Sequence, residues 1–418
     1  MLPAYSVEDH GSFQVVTGEV KPGVRVLKLV DGETRFFEAL WEIPEGVSYN
    51  AYVVDYGEGA ILVDGWKTGY GPLLVDKLGQ LGVLDKLSHV VVNHMEPDHS
   101  GSLPEVLEAR KGVRVLGHPL TKKLIKDFYG LEPDFKPVAD GERLPVGPLT
   151  LKFSHVPWLH WPETIVTQVE ELGVLFTCDV FGSFGSHRAV ALRELGEEQR
   201  REYYALARKY FADVVAHYRD FVVKASGKLK EAISASELVA PGHGLVLDRA
   251  EASGLLDLYL DWSTSRGGKV VLLYASMYGH SERLVVELSR RLKEEGVEVS
   301  SHGFTDKHRH HVSEIVNGAL GAGLIVVVST VYENSTFPLV KYTLELVAHK
   351  TGCGKVLFVD VHGWGGKGAE AKKLLESLGC SDVAVLELKP FEASTSAERV
   401  VQQALGLLAR RPGRQEGS

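Results

Sequence analysis

Cysteine is scarce in this chain, with three in 418 residues, at Cys178, Cys353 and Cys380. No two of them stand in a CxxC spacing. That excludes a thiolate zinc ribbon or a cysteine-ligated iron centre built within the chain. Long apolar runs are lacking too. None reaches the ~18 residues of a membrane span, and the opening residues, with Glu8, Asp9 and His10 early, carry no signal-peptide pattern. A soluble cytoplasmic protein with no membrane partner is expected. Amides are few, four Asn and seven Gln, and such a shortage of thermolabile side chains suits a heat-adapted source. Nor is there an excess of positive charge. The 46 Lys and Arg face 55 Asp and Glu, a formal net charge of −9, so there is no reason to propose nucleic acid as a partner. What is present is a globular composition, 44% hydrophobic and 24% charged. The length exceeds one ordinary core, and two or three domains are expected.

The chemistry concentrates in Asn93-His94-Met95-Glu96-Pro97-Asp98-His99. It follows Leu87-Ser88-His89-Val90-Val91-Val92, a β-branched run that reads as a buried strand. Pro97 cannot continue a regular ladder, so a loop is expected from His94 onward. His, Glu, Asp and His in six residues beside a buried strand are costly unless something compensates them. A metal ion would do so; a polar surface turn is the plainer reading. Three more candidate ligands follow, each where an apolar strand ends: His160 in Val156-Pro157-Trp158-Leu159-His160, Asp179 after Gly173-Val174-Leu175-Phe176-Thr177-Cys178, and His243 in Pro241-Gly242-His243-Gly244. One such residue alone means little. The repetition of one design points to a metal centre.

Around these residues the first 260 positions read mainly as strands. Val24–Val30 ends at Asp31-Gly32, a hairpin signal, with a new strand-like run from Thr34 to Leu40. Ser48–Gly57 pairs plausibly with Ala60–Asp64. Gly71–Leu81 and Pro104–Arg110 read as helices, and Val113–Gly117 as a further strand. This pattern resembles the metallo-β-lactamase fold, an αββα sandwich with a two-metal site at the sheet edges, over roughly residues 10–260. The usual hydrolytic motif of that fold is HxHxDH, and here Glu96 replaces the second His. Added carboxylate is a harder, anionic ligand that suits iron. The resemblance implies His94, Glu96 and His160 on one metal, Asp98 and His243 on the other, and Asp179 bridging. Three His and three carboxylates would hold two ferrous ions near neutrality. His99 either completes the ligand set of the second metal or turns away and leaves a position to solvent.

Asp257–Trp262 closes the first domain, and Ser263-Thr264-Ser265-Arg266-Gly267-Gly268 reads as a polar linker. Beyond it strands and helices alternate. Strands are expected at Lys269–Tyr274, from Glu298, at Leu324–Val328, Lys355–Val359 and Val383–Leu388. Helices are expected at Glu282–Glu294, Val312–Leu320, Leu339–Ala348, Lys367–Leu378 and Ser394–Leu408. Five strands in this alternation form a doubly wound parallel sheet, which binds ligands at the carboxyl ends of its strands. The loop Ser276-Met277-Tyr278-Gly279-His280-Ser281 ends at a helix N-terminus, where free amides favour a phosphate. That loop has neither GxGxxG nor a Walker lysine, so a dinucleotide or a nucleoside triphosphate is not expected there. Thr330-Val331-Tyr332-Glu333-Asn334 and His362-Gly363-Trp364-Gly365-Gly366 supply aromatics to flank a flat ring, Tyr332 and Trp364, and glycines for close approach. Together the three loops give a flavin signal. His308-Arg309-His310-His311 reads as a solvated loop before a helix.

The combination resembles the flavodiiron proteins (A-type flavoproteins) over nearly the whole chain. Its marks are Gly46-Val47-Ser48-Tyr49-Asn50-Ala51-Tyr52, the stretch His94–His99, Leu159-His160-Trp161-Pro162-Glu163, Phe176–Gly182, Pro241-Gly242-His243-Gly244, Ser276–Ser281 and Gly363-Trp364-Gly365-Gly366. The expected architecture is therefore a metallo-β-lactamase-like di-iron domain at 1–262, a linker at 263–268, a flavodoxin-like FMN domain at 269–409 and a polar tail at 410–418. The resemblance implies two iron ions, FMN, and reduction of dioxygen to water, of nitric oxide to nitrous oxide, or both. It implies an external electron donor, either a rubredoxin-like protein or a reduced deazaflavin, and a head-to-tail homodimer or a dimer of dimers. The second flavin loop departs from the family's usual SPTYNN at Thr330, Val331 and Glu333, and Glu333 adds a charge near the expected flavin. His280 and Ser281 stand where the family commonly has Ser and Thr. The alternative is a zinc hydrolase of the lactamase superfamily with a flavodoxin-like appendage.

Overall fold

A computed structural model describes residues 5–393 and 395–410. The chain divides into two compact units between Ser263 and Thr264. The first is an αββα sandwich. One sheet runs, in spatial order, Tyr5–Asp9, Phe13–Lys21, Val24–Asp31, Val47–Asp55, Ala60–Val63, Leu87–Val92, Arg114–Gly117 and Phe135–Pro137. The other runs Arg143–Val146, Leu149–His155, Ile165–Val169, Val174–Cys178, Leu238–Pro241 and Leu247–Asp248. Their inner faces share one core, in which Val26, Ile61 and Val91 of the first sheet meet Leu151, Phe153 and Phe176 of the second. Burying each such side chain contributes about 1.5–3 kcal/mol. Polar clips join the sheets at one end. Asn50 Nδ2 donates to the carbonyls of Pro241 and Gly244, and Tyr52 Oη donates to that of Pro241.

Several expectations for this unit need correction. Asp31-Gly32 does not turn a hairpin into a strand at 34–40. The strand Val24–Asp31 pairs with Phe13–Lys21 and Val47–Asp55 instead. The Asp31 carboxylate accepts from the amides of Glu33 and Thr34, which bends the chain away from the sheet. Left-handed backbone at Glu38 and Ala39 (φ 51° and 58°) then leaves only the two-residue strands Phe36–Phe37 and Trp41–Glu42. Pro97 opens a helical turn, Pro97–Ser100, because the first helical position needs no amide donor. The expected linker is helical at its start, since the helix Arg249–Thr264 runs through Ser263.

The second unit is doubly wound. Its parallel strands are Val270–Ser276, Val299–Thr305, Leu324–Tyr332, Lys355–Val361 and Asp382–Leu388, in spatial order 2-1-3-4-5. Helices His280–Glu294 and Ala397–Ala409 cover one face, setting Leu284, Leu288, Val400 and Leu407 against Leu272, Val326 and Leu357. Two-sided burial is why the third strand is apolar throughout its first half. That strand runs further than its apolar run implied. It continues to Tyr332 and pairs back with Ser335–Thr336, while Glu333 and Asn334 make the turn with φ of 44° and 62°. The last helix begins at Ala397, and Ser394, where it was expected to start, lies outside the described residues, as does the expected tail beyond Arg410. Cys353 and Cys380, which the sequence reading left unpaired, form a disulfide across a separation of 27 residues. The loop His308–His311 is largely exposed and leads into the helix Val312–Ala319.

Candidate metal centre and flavin cavity

The seven candidate ligands converge at one end of the sandwich. The strand Leu87–Val92 delivers His94 and Glu96, and the turn at Pro97 delivers Asp98 and His99. Asp179 follows Val174–Cys178, flanked by left-handed residues Cys178 and Phe181 (φ 46° and 73°). Such backbone costs energy and collects at functional sites. His243 follows Leu238–Pro241.

Two groups of donors form around the two oxygens of Asp179. His94 Nε2 and His160 Nε2 lie 3.3 and 2.9 Å from its Oδ2, and 3.2 and 3.0 Å from Glu96 Oε2. His99 Nε2 and His243 Nε2 lie 2.7 and 3.3 Å from its Oδ1, and 3.5 and 3.3 Å from Asp98 Oδ2. His99 thus turns its Nε2 into the second group. The Nε2 atoms of His99 and His243 are 2.9 Å apart. Two imidazole lone pairs pointed at one spot repel unless a proton or a cation lies between them. Both oxygens of Asp98 and one of Asp179 are buried without a hydrogen-bond partner. This donor set fits two cations bridged by one carboxylate.

The charges say the same. Burial alone would lower the His94 imidazole, but Asp179, Glu163 and Glu96 hold it well above the ordinary histidine value. Burial is likewise overcome at His160, raised to about 9 by Asp179 and Glu96, and at His243, raised to about 10 by Asp179 and Asp98. Against burial, which would raise them, the neighbouring imidazoles depress Glu96 and Asp179. Without a metal the site gathers protons to balance its carboxylates. A cavity of about 620 Å³ opens onto Glu96 and Asp98, with Phe36, Phe37, Tyr49 and Lys67 among its lining residues.

Glu163 is the functional residue that sequence reasoning quoted without a role. It is fully buried, and its Oε1 accepts from the Met95 amide at 2.9 Å and faces His94 Nδ1 at 3.1 Å. A carboxylate behind a ligating histidine fixes the ring and its tautomer. The signal available was an acidic residue two positions before the apolar strand Ile165–Val169, which no periodicity explains. His243 is held differently, with Nδ1 donating to the Ser48 carbonyl at 2.8 Å.

In the second unit a shallow cavity of about 180 Å³ lies between the three expected loops, lined by Ser276, Met277, Tyr278, His280, Ser281, Thr330, Val331, His362, Gly363 and Trp364, with Val361 and Pro390 in addition. Ser276 Oγ is buried without a partner, and Gly279, at φ 81°, starts the helix His280–Glu294. These features fit a phosphate at a helix N-terminus. Tyr332, Glu333 and Asn334 are not in the lining, because the longer strand carries them onto an exposed hairpin, where Tyr332 packs edge-on against Phe337 at 5.8 Å. Gly279, Gly365 and Gly366 shape the loops without lining the cavity. The aromatics at its mouth are Tyr278 and Trp364, exposed by 82% and 66%. Among the described residues no helix is long and apolar enough to cross a membrane.

Comparison with known proteins agrees with this geometry. The family described as "ODP family beta lactamase" matches residues 47–244. A nitric oxide reductase of Moorella thermoacetica is 28% identical over 364 residues, 85% of this chain and 88% of that protein. A rubredoxin-oxygen oxidoreductase of Megalodesulfovibrio gigas is 29% identical over 78% of this chain and 80% of its own length. Among solved structures, a mutant form of the flavo di-iron protein from Thermotoga maritima superposes with a TM-score of 0.83 at 31% identity, covering 97% of this chain and all of that one.

Proposed function

This chain belongs to the flavodiiron protein family, and we propose that, as an oxidoreductase of that family, it reduces dioxygen, nitric oxide or both at a pair of iron ions served by FMN. The observation that carries this reading is Asp179, whose two oxygens each face a separate group of donors, one of which contains Glu96. His94, Glu96 and His160 would hold one ion, Asp98, His99 and His243 the other, with Asp179 between them. Two ferrous ions held there would supply two electrons and a bound FMN two more, which together match the four electrons that dioxygen needs. Glu163 holds the His94 ring. Phe36, Phe37 and Tyr49 keep the approach to the centre largely apolar, so a small uncharged gas enters it without desolvation cost. The Ser276–Ser281 loop would receive the flavin phosphate, and Tyr278 and Trp364 would border its ring. The protein works in the cytoplasm as a homodimer fed by a rubredoxin-like protein or a reduced deazaflavin.

The test is to count iron and zinc in anaerobically prepared protein, then to assay consumption of each gas with a chemical reductant. About two irons per chain and turnover of at least one gas are expected. Two zincs in protein grown with ample iron would instead point to a hydrolase of the lactamase superfamily and overturn the proposal. Light scattering that finds a monomer turning over at full rate would remove the dimer from it.

A further inference from the structure

Three ligand-type side chains share one face at the carboxyl end of the doubly wound sheet. Asp360 and Glu387 stand directly opposite each other on the parallel strands Lys355–Val361 and Asp382–Leu388. His362 stands one residue past the end of the first of these strands, where its amide donates to the Leu388 carbonyl. A donor atom from each lies within 4.8 Å of the other two. The plain alternative is a capping aspartate beside a His–Glu ion pair. Asp360 does cap, accepting from the Lys367 amide at 2.5 Å through Oδ2. A carboxylate keeps lone pairs for a further partner.

The rest of the arrangement exceeds what capping requires. His362 is 8% exposed, its Nδ1 is buried without a hydrogen-bond partner, and its Nε2 stands 3.5 Å from Glu387 Oε2, too far for a good hydrogen bond. A buried imidazole left so poorly paired is costly. Two glycines keep the space beside the donors clear. A Cβ on Gly366 would meet His362 Nε2 at 2.8 Å and Glu387 Oε2 at 2.9 Å, and one on Gly368 would meet Glu387 Oε1 at 3.0 Å.

We propose that Asp360, His362 and Glu387 form a mononuclear site for a divalent transition-metal cation. One imidazole nitrogen and two carboxylates suit Zn²⁺, Mn²⁺ or Fe²⁺. The nitrogen argues against Ca²⁺ and Mg²⁺, which favour oxygen shells, and the absence of sulfur argues against Cu⁺. Three protein donors leave positions open to water. The site belongs to the C-terminal unit, whereas His94–His243 belong to the N-terminal one. His362 also borders the flavin cavity, so a cation would hold its ring toward the carboxylates.

The test uses the full chain with its native metals and flavin in place. Zn²⁺ is titrated against a colorimetric chelator, while the metal of the N-terminal centre is counted throughout. One Zn²⁺ per chain is expected to bind without displacing that metal, and Glu387→Gln and His362→Asn should each weaken its binding at least tenfold. Glu387 is the exposed member of the set, so its change to the isosteric amide leaves the fold in place. Uptake only at the expense of the N-terminal metals, or equal affinity in wild type and both variants, would overturn the proposal. The count of added zinc reads the same whether the N-terminal metals are iron or zinc, so it stands or falls independently of the proposed function.

Discussion

Opening the Cys353–Cys380 bridge should destabilise the C-terminal unit by an amount that its loop length sets. The bridge closes a loop with a sequence separation of 27. In the chain-entropy account a loop of that length restricts the unfolded chain by about 3.5 kcal/mol at 25 °C. A unit of this size gains roughly 0.3 kcal/mol/K of unfolding entropy. The melting temperature should therefore fall by about 10 °C. The assay is calorimetry of the full chain in three forms: oxidised, reduced with a phosphine, and as the double variant Cys353→Ala/Cys380→Ala. Reduction keeps the side-chain volume, so agreement between the last two separates the crosslink from packing at buried Cys380. Both cysteines precede the amino ends of their strands, Lys355–Val361 and Asp382–Leu388, while the flavin loops follow carboxyl ends. A strand of that length separates the two by roughly 20 Å, so the flavin spectrum should not change. A shift below about 3 °C in both forms, or an altered spectrum, would refute the reasoning.

Four further outcomes follow from the N-terminal unit. Glu163→Gln keeps the volume but removes the charge behind His94, and should weaken metal binding roughly 10–100-fold in chelator competition; unchanged affinity would remove Glu163 from the site. Gly242→Ala would place a Cβ 2.7 Å from His99 Cε1, so it should displace that ring and lower metal occupancy of the second group, seen by elemental analysis. In metal-free protein His160 and His243 titrate at about 9 and 10; they are protonated at neutral pH, and a metal needs them neutral. Metal uptake at pH 7.5 should thus release protons, and affinity should fall as pH falls; calorimetry in buffers of different ionisation enthalpy checks this, and no buffer dependence would contradict it. Finally, Lys28 is fully buried, and burial lowers its ammonium from 10.5 to about 7. Between those values the unfolded chain binds the extra proton, so stability should rise with pH by up to ~1.4 kcal/mol per unit and level off above the unfolded value. Lys28→Met should lose that rise in denaturant titrations at pH 7, 8 and 9, and a parallel slope in the variant would sink the assignment.

The sequence alone determined the two-part architecture and the seven side chains that gather at the candidate metal centre. Both are written locally. Strand runs and helix periods follow from backbone geometry, and ligands placed where apolar strands end need only the sheet to bring them together. Alternation with helices likewise implied a doubly wound parallel sheet, while the 2-1-3-4-5 order of its strands came from packing. Tertiary structure decided what depends on partners distant in the chain. Glu163 reads as one more acidic residue until folding places it behind His94. His99 could turn either way until Gly242, lacking a Cβ, made room for its ring beside Cys178 and Asp179. The third strand of the C-terminal unit outran its apolar half because Ser335–Thr336 pairs back on it, which took Tyr332 and Glu333 away from the flavin cavity. Cys353 and Cys380 carry no spacing signal, and meet only because neighbouring parallel strands start side by side. Composition and period report what a residue does to its own stretch of chain; a bridging carboxylate, a ring held from behind or a disulfide is a relation between stretches, and only packing makes it.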